Sequence, residues 1–122
     1  MSEALAALRE DERRFIADWL RVALRGCRVA EGFAEGAPCV YVQVMRPDDC
    51  GDGRAFLEVY ATVGYRRRKR REEAAGAVFE SLSSLGETGR YQGWSAYEPM
   101  DCNGLSTVLA VGYRTIGNEQ RS

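Results

Sequence analysis

The sequence contains no histidine among its 122 residues, and this absence weakens the case for catalysis. Histidine is the side chain that most often serves as a general base near neutral pH. The chain also lacks a phosphate-binding loop, a nucleophile elbow and a dinucleotide fingerprint. Cys50 and Cys102 would need stabilised thiolates to act as nucleophiles, and each follows an aspartate that opposes the negative charge. We therefore predict a protein that is not an enzyme and uses no cofactor.

The cysteines are few and widely spaced. Cys27, Cys39, Cys50 and Cys102 form no Cys-x-x-Cys pair, and no histidine is present to complete a zinc site. The acidic turn at residues 48–52 lacks the ligand spacing and the closing glutamate of a calcium loop. We predict free or buried thiols and no bound metal.

Long apolar runs are also missing, and none approaches the ~20 residues that a membrane-spanning helix needs. The first five residues show no basic region followed by an apolar core, so no export signal is indicated. The apolar content of 45% is that of an ordinary folded domain. These features predict one cytoplasmic domain over residues 1–122, with no membrane contact.

The positive charge is unevenly distributed, although the formal net charge is only −1. Six consecutive cations occur at residues 66–71: Arg66, Arg67, Arg68, Lys69, Arg70 and Arg71. Without these six cations, the chain has eleven of its 17 basic residues and all 18 acidic ones, so the net charge of the remainder is −7. Such a run indicates an anionic partner, either nucleic acid or an acidic protein surface. The alternative is a solvated junction between two elements.

Two stretches show helical spacing of apolar residues. The first predicted helix spans residues 2–26, with Ser2 as N-cap and Gly26 as terminator, and the second spans residues 67–86. Further apolar residues widen the apolar stripe in the second half of the first helix. This half is therefore expected to be covered on more than one side, by the sheet and by a partner. Gly76 costs about 1 kcal/mol relative to alanine inside the second helix, and close backbone contact would explain it.

A β-hairpin pattern follows each helix, at residues 39–66 and 91–114. Both copies carry a Pro/Asp/Gly turn and end in Val-Gly-Tyr-Arg, which we interpret as shared architecture, with shared ancestry left open. In this alignment Trp94 and Ala96 take the places of Val42 and Val44. Four core-facing residues of the second copy, Leu105, Thr107, Leu109 and Val111, likewise take the places of Leu57, Val59, Ala61 and Val63.

The predicted fold is α+β, in the order helix-hairpin-helix-hairpin. Its antiparallel sheet has four strands, or five if a weak pattern at residues 28–33 adds an edge strand, and both helices pack on one face. The second helix is long enough to span the sheet, so the two turns point to opposite ends and Cys50 cannot reach Cys102. The tail at residues 117–122 is expected to fray.

The second face of this sheet is not polar, which indicates a surface that is covered. Its predicted large side chains alternate with small polar ones and are Tyr41, Met45, Phe56, Tyr60, Tyr97 and Val108. The interleaved polar residues are Gln43, Glu58, Thr62, Ser95 and Ser106. Tyrosine and methionine in such a setting are typical of protein interfaces, so we predict a homodimer or another protein partner. A loop or a terminus of the same chain could cover the face instead.

The pattern also resembles type III secretion chaperone-like domains over residues 39–98. Three short segments carry the resemblance: Val42-Gln43-Val44, Leu57-Glu58-Val59 and Gly93-Trp94. The resemblance implies a helix-strands-helix-strands fold that acts as a dimer and holds another protein. The chain departs from that pattern because it has no clear third helix and carries the basic run.

These observations predict a small non-catalytic protein-binding module that acts as a homodimer, through the aromatic face of the sheet or through the apolar half of the first helix. A chaperone, an adaptor or an inhibitor fits this description, and inhibitors encoded by phages or mobile elements belong to the same class of small binders. The alternative function is nucleic-acid binding through residues 66–71, assisted by aromatic residues of the sheet.

Overall fold

The computed structural model describes residues 3–32 and 38–116. Its helices are α1 (Glu3–Ala23) and α2 (Arg68–Ser84), the latter extended by a 3-10 turn (Leu85–Glu87). Its strands are β1 (Val29–Glu31), β2 (Val40–Val44), β3 (Asp48–Asp49), β4 (Arg54–Val63), β5 (Gln92–Ala96), β6 (Met100–Cys102) and β7 (Leu105–Thr115). The predicted N-cap at Ser2 and the frayed tail lie outside the described residues.

The architecture confirms the α+β class with a mainly antiparallel sheet. The strand order is β1-β2-β4-β7-β5, with β3 and β6 paired to β4 and β7, and only β1 and β2 are parallel. Within residues 3–32 and 38–116 the sheet therefore contains seven strands rather than four or five. The count is higher because β1 forms at the edge and because the first arm of each hairpin is divided in two.

A proline divides each first arm. Pro47 lies between β2 and β3, and Pro99 lies between β5 and β6. Proline has no N–H for the ladder, so the arm leaves its partner strand there and resumes with one extra residue. The pairs on either side of each interruption are Val44↔Val59 with Asp48↔Phe56, and Ala96↔Ala110 with Met100↔Thr107. The two hairpins thus share a bulge that the turn residues alone do not reveal.

The predicted register of the second hairpin is wrong in its long strand β7. Ser106, Val108 and Ala110 are buried on the face toward the helices, whereas Leu105 and Leu109 lie on the other face. A shift by an odd number of residues exchanges the two faces of a strand. The four residues predicted to face the core, Leu105, Thr107, Leu109 and Val111, therefore lie on the second face.

The cause is the length of the second turn. The residues between β6 and β7 are only Asn103 and Gly104, both with positive φ, whereas the first hairpin closes over residues 50–53. Two residues with positive φ form the tight hairpin turn whose twist suits antiparallel strands. The repeated Val-Gly-Tyr-Arg is consequently not a structural repeat, because Val63 is buried in the core and Val111 lies on the second face.

Both helices pack on one face of the sheet, as predicted. Ile16 and Leu20 of α1 and Val78 and Leu82 of α2 share one core cluster with the buried residues of β2, β4 and β7. Trp94 and Ala96 also pack against this cluster, as predicted. The two turns lie at opposite ends of the antiparallel β4–β7 pair, and all four cysteines are free.

The first helix is shorter than predicted at its C-terminal end. α1 ends at Ala23, and Leu24 makes the last turn bond, from its N–H to the carbonyl of Leu20 (2.8 Å). The chain then turns through Gly26 so that β1 can pair with β2. No helix in the described part of the chain is long and apolar enough to cross a membrane.

Gly76 lies in mid-helix without the close backbone contact that the sequence suggested. A Cβ built at this position meets no heavy atom within 4 Å. We expect Gly76→Ala to raise the free energy of unfolding by about 1 kcal/mol, because alanine loses less backbone entropy in a helix. Thermal unfolding followed by circular dichroism checks this, and a fall in the melting temperature would contradict it.

Candidate functional site

The face of the sheet opposite the helices is called here the open face. Alternation along the paired strands β2, β4 and β7 also places Tyr41 and Thr62 on this face, but both are buried. Its surface residues are Gln43, Phe56, Glu58, Tyr60, Leu105, Thr107, Leu109, Val111 and Tyr113. Each of these side chains is partly exposed. Both helices lie on the other side, so no described helix covers this surface. The open face is more aliphatic than predicted because β7 contributes leucines and a valine.

Aromatic and aliphatic side chains meet across β4 and β7. The rings of Phe56 and Tyr113 lie 5.3 Å apart between centroids, and the guanidinium of Arg54 lies 4.5 Å from the centroid of Tyr113. Tyr60 pairs directly with Leu109 in the ladder. Such neighbours form one continuous apolar strip along the two longest strands of the sheet.

The predicted interface residues occupy different environments. Phe56 and Tyr60 lie on the open face as expected. Met45 follows β2 at the bulge and is partly exposed, and Tyr97 follows β5 at the matching bulge and is 52% exposed. Tyr41 is only 1% exposed and offers almost no surface to a partner. Val108 and Ser106 are also removed from the predicted surface because both are buried on the face toward the helices.

The size of the open face can be estimated from strand geometry. β4 has 10 residues, which span about 33 Å at roughly 3.3 Å per residue. The four columns β2, β4, β7 and β5 are about 19 Å wide at roughly 4.8 Å per strand. The face therefore offers at most roughly 600 Å², because Tyr41 and Thr62 at one end are buried. Two such faces together would bury up to about 1,200 Å², the lower end of stable protein interfaces.

The basic run begins in the connection after β4 and continues through the first turn of α2, and the structure divides it into two groups. Arg68 pairs with Glu72 at 3.0 Å, and Arg71 donates to the carbonyls of Tyr65 and Arg66 at 3.1 Å each. The Arg70 side chain is also held by neighbouring groups. The remaining cations, Arg66, Arg67 and Lys69, are exposed and make no side-chain hydrogen bond or ion pair within the described residues.

A depression of about 350 Å³ opens beside these cations. Its lining residues come from the end of β4, the start of α2 and the segment before β2: Pro38, Gly64, Tyr65, Arg66, Arg67 and Arg70. Arg70 Nη2 donates to the carbonyl of Gly26 at 2.8 Å, and its guanidinium lies 4.2 Å from the centroid of the Tyr65 ring. Two separate contacts thus fix the orientation of one cation in the wall.

A buried carboxylate, which the sequence analysis did not single out, links three elements. Glu12 of α1 is 1% exposed and accepts hydrogen bonds from Arg90 (3.0 Å to each oxygen), Tyr91 (2.5 Å) and Arg114 (3.1 Å). The guanidinium of Arg90 also lies 3.8 Å from the centroid of the Phe15 ring. A sequence signal existed, because Glu12 lies four residues from both Leu8 and Ile16, on the apolar stripe of α1.

These partners decide the ionisation of the cluster. Burial by itself would raise the pKa of Glu12, but the hydrogen bonds from Arg90, Tyr91 and Arg114 outweigh it and lower the pKa below the ordinary value of 4.5. Burial and the neighbouring carboxylate raise the pKa of Tyr91. Glu12 is therefore ionised and Tyr91 neutral near neutral pH. Both oxygens of Glu12 are occupied by protein donors, so the cluster serves to join elements.

A groove of about 550 Å³ runs between α1 and α2. Its lining is mostly apolar: Trp19, Val22, Ala23, Leu24, Ala77, Glu80, Ser81 and Ser84. The Trp19 Nε1–H donates to the carbonyl of Ser81 at 2.8 Å, which bridges the helices, while Val22 remains 76% exposed. The chain itself therefore covers Ile16 and Leu20 in the second half of α1 but leaves Val22 bare.

The acidic turn follows ordinary turn chemistry. Asp49 accepts a hydrogen bond from the Gly51 N–H at 2.8 Å, and Asp52 accepts from the backbone and the guanidinium of Arg54. Within residues 3–32 and 38–116, no three cysteine, aspartate or glutamate side chains lie together so that they could hold a metal ion.

Comparison with known proteins adds no identification. No protein-family model matches this chain, and no curated protein matches it. Inferences about its function therefore depend on the surfaces described above.

Proposed function

We propose that this chain is a non-catalytic protein-binding module whose open face associates with the same face of a second copy. The observation that carries the proposal is the partly exposed apolar strip of β4 and β7, with Phe56, Tyr60, Leu109, Val111 and Tyr113 side by side. Apolar surface of this extent on one face of a sheet is unfavourable in water and favours association.

The dimensions and the chemistry support a second copy as the occupant. A two-fold axis brings the same surface patch of both copies together, so one apolar strip serves as both partners. A buried surface of up to about 1,200 Å² reaches the lower end of the range for stable dimers. The chaperone-like domains that the sequence resembles also act as dimers, and holding a further protein is the extension of this proposal.

Sedimentation equilibrium at micromolar concentration tests the proposal. We expect a dimer for the unchanged chain and a monomer for Leu109→Glu, because two buried carboxylates would face an apolar strip. The dissociation constant of the dimer should rise at least about 100-fold, as expected for the loss of a central interface residue. Glu58→Gln, on the same face, should instead leave the dimer intact or strengthen it, because it removes a charge that association must desolvate.

Ser83→Glu is the matched control, because it adds the same charge at an exposed position of α2 on the opposite side of the sheet. This variant should remain a dimer, and all variants should keep the circular dichroism spectrum of the unchanged chain. A monomer for the unchanged chain at about 100 μM, where interfaces of this class are occupied, would contradict self-association. Equal dissociation by Leu109→Glu and Ser83→Glu would place the interface elsewhere.

A further inference from the structure

The geometry of the basic junction points to a second binding surface, independent of the open face. We propose that the junction between β4 and α2 binds single-stranded nucleic acid. In this proposal Arg66, Arg67 and Lys69 contact phosphates, and the Arg70 guanidinium is a platform on which a base stacks.

Arg70 is arranged as a stacking platform. The central carbon of its guanidinium lies over the Tyr65 ring, 4.2 Å from the ring centroid, and Nη2 donates to the carbonyl of Gly26 at 2.8 Å. Tyr65 is itself buried, so the ring is a firm support, while Arg70 is exposed. These two contacts hold the guanidinium in place before any ligand arrives. Unstacked bases are commonly held on arginine planes and aromatic rings.

The unpaired cations lie beside this platform. Arg66 and Arg67 line the same depression as Arg70, and Lys69 follows in the first turn of α2. Guanidinium groups match the geometry of phosphate oxygens through paired hydrogen bonds. Like charges grouped at a helix N-terminus oppose both one another and the helix dipole. Glu72 and Glu73 offset part of this cost, but Arg66, Arg67 and Lys69 form no ion pair within the described residues. A bound polyanion would offset the part that remains.

The platform distinguishes a nucleic acid from an acidic protein surface. Carboxylates would satisfy the same cations, but they would leave the exposed plane of Arg70 without a partner. A strand of nucleic acid offers phosphates and a planar base within one or two nucleotides, which corresponds to the adjacent cations and platform. The acidic remainder of the chain confines the contact to this junction, so few phosphates take part.

Fluorescence anisotropy with a labelled, mixed-sequence DNA dodecamer tests the proposal. We expect binding whose affinity falls about 20-fold between about 50 and about 200 mM salt, since roughly three phosphate contacts give a logarithmic slope near −2 for a single strand. Arg66→Gln with Arg67→Gln should weaken binding by at least about tenfold. Arg70→Lys, which keeps the charge and loses the plane, should weaken it by about tenfold through lost stacking.

The control is Arg14→Gln with Arg46→Gln, which removes two exposed cations distant in sequence from the junction and should leave the affinity within about twofold of the unchanged chain. Circular dichroism establishes that each variant is folded. The proposal would be overturned by no binding at low salt, by equal loss in the control pair, or by tighter binding of a labelled polyglutamate peptide than of the oligonucleotide. Insensitivity to Arg70→Lys would also overturn it, because the charge alone would then suffice.

Discussion

Glu12→Ala should lower the free energy of unfolding by about 3 to 5 kcal/mol, the largest stability effect expected for any polar residue of this protein. The change removes a carboxylate that is 1% exposed and accepts hydrogen bonds from three side chains. At roughly 4 °C per kcal/mol for a domain of this size, the melting temperature should fall by about 10 to 20 °C.

The size of the effect follows from what remains after the carboxylate is lost. The Tyr91 hydroxyl is buried and would keep a donor without a partner, which costs about 1 to 3 kcal/mol by itself. Arg90 and Arg114 would face each other's positive charge without the anion between them. The links from α1 to the start of β5 and to the end of β7 would be lost together, since one side chain makes them all.

Glu10→Ala is the matched control on the same helix. Glu10 is exposed and pairs with Arg13, so its loss should cost less than about 1 kcal/mol, as is typical of surface ion pairs. Chemical denaturation at one fixed protein concentration compares the two, because self-association would make stability depend on concentration. Similar costs for Glu10→Ala and Glu12→Ala would mean that the buried cluster contributes little.

The pH dependence gives an independent measurement of the same cluster. Glu12 has a pKa below 4.5 in the folded chain, so the folded state binds its proton less readily than the unfolded state. Its contribution to stability is therefore complete above the unfolded pKa and is lost as the pH falls through the folded pKa. The difference in stability between the unchanged chain and Glu12→Gln should stay constant near neutral pH and shrink below about pH 4.5.

The sequence predicts the alternation of elements well because alternation and helical spacing are local properties. The period of β4 and β7 is visible in their residues, and so is the tight turn chemistry. The face that β7 turns to the core is not visible, because both of its faces carry apolar residues: Leu105, Leu109 and Val111 on one, and Val108 and Ala110 on the other. Only the two-residue turn at Asn103 and Gly104 decides the register, and an aligned motif four residues long was misleading.

The site residues show a similar limit. Glu12 could be suspected from its place on an apolar stripe, but its partners lie 78, 79 and 102 residues away in the sequence. Nothing local predicts that Arg90, Tyr91 and Arg114 converge on it. The basic run was evident from the sequence, yet only the packing of Arg70 on Tyr65 separates a fixed platform from freely solvated charges.

Gly112→Ala should lower the free energy of unfolding by about 2 to 3 kcal/mol, the upper part of the range for overpacked sites. A Cβ at this position would lie 2.7 Å from Cε3 of Trp94 and 3.3 Å from the Trp94 Cα. The indole cannot move away cheaply. Its Nε1–H donates to the carbonyl of Leu82 at 2.7 Å, and its ring stacks on Tyr91 at 4.5 Å.

A double-mutant cycle separates this contact from a general effect of replacing glycine. In a Trp94→Ala background, Gly112→Ala should cost less than about 1 kcal/mol, because the nearest obstacle is gone, and the two changes should show a clear coupling energy. Gly26→Ala is the neutral reference, since a Cβ there meets no heavy atom within 4 Å. Equal costs at Gly112 with and without the indole would mean that the strand backbone, and not Trp94, requires glycine. Trp94 fits β7 against α2 only where the strand has no side chain, so glycine at position 112 is what allows the end of the sheet to close under the second helix.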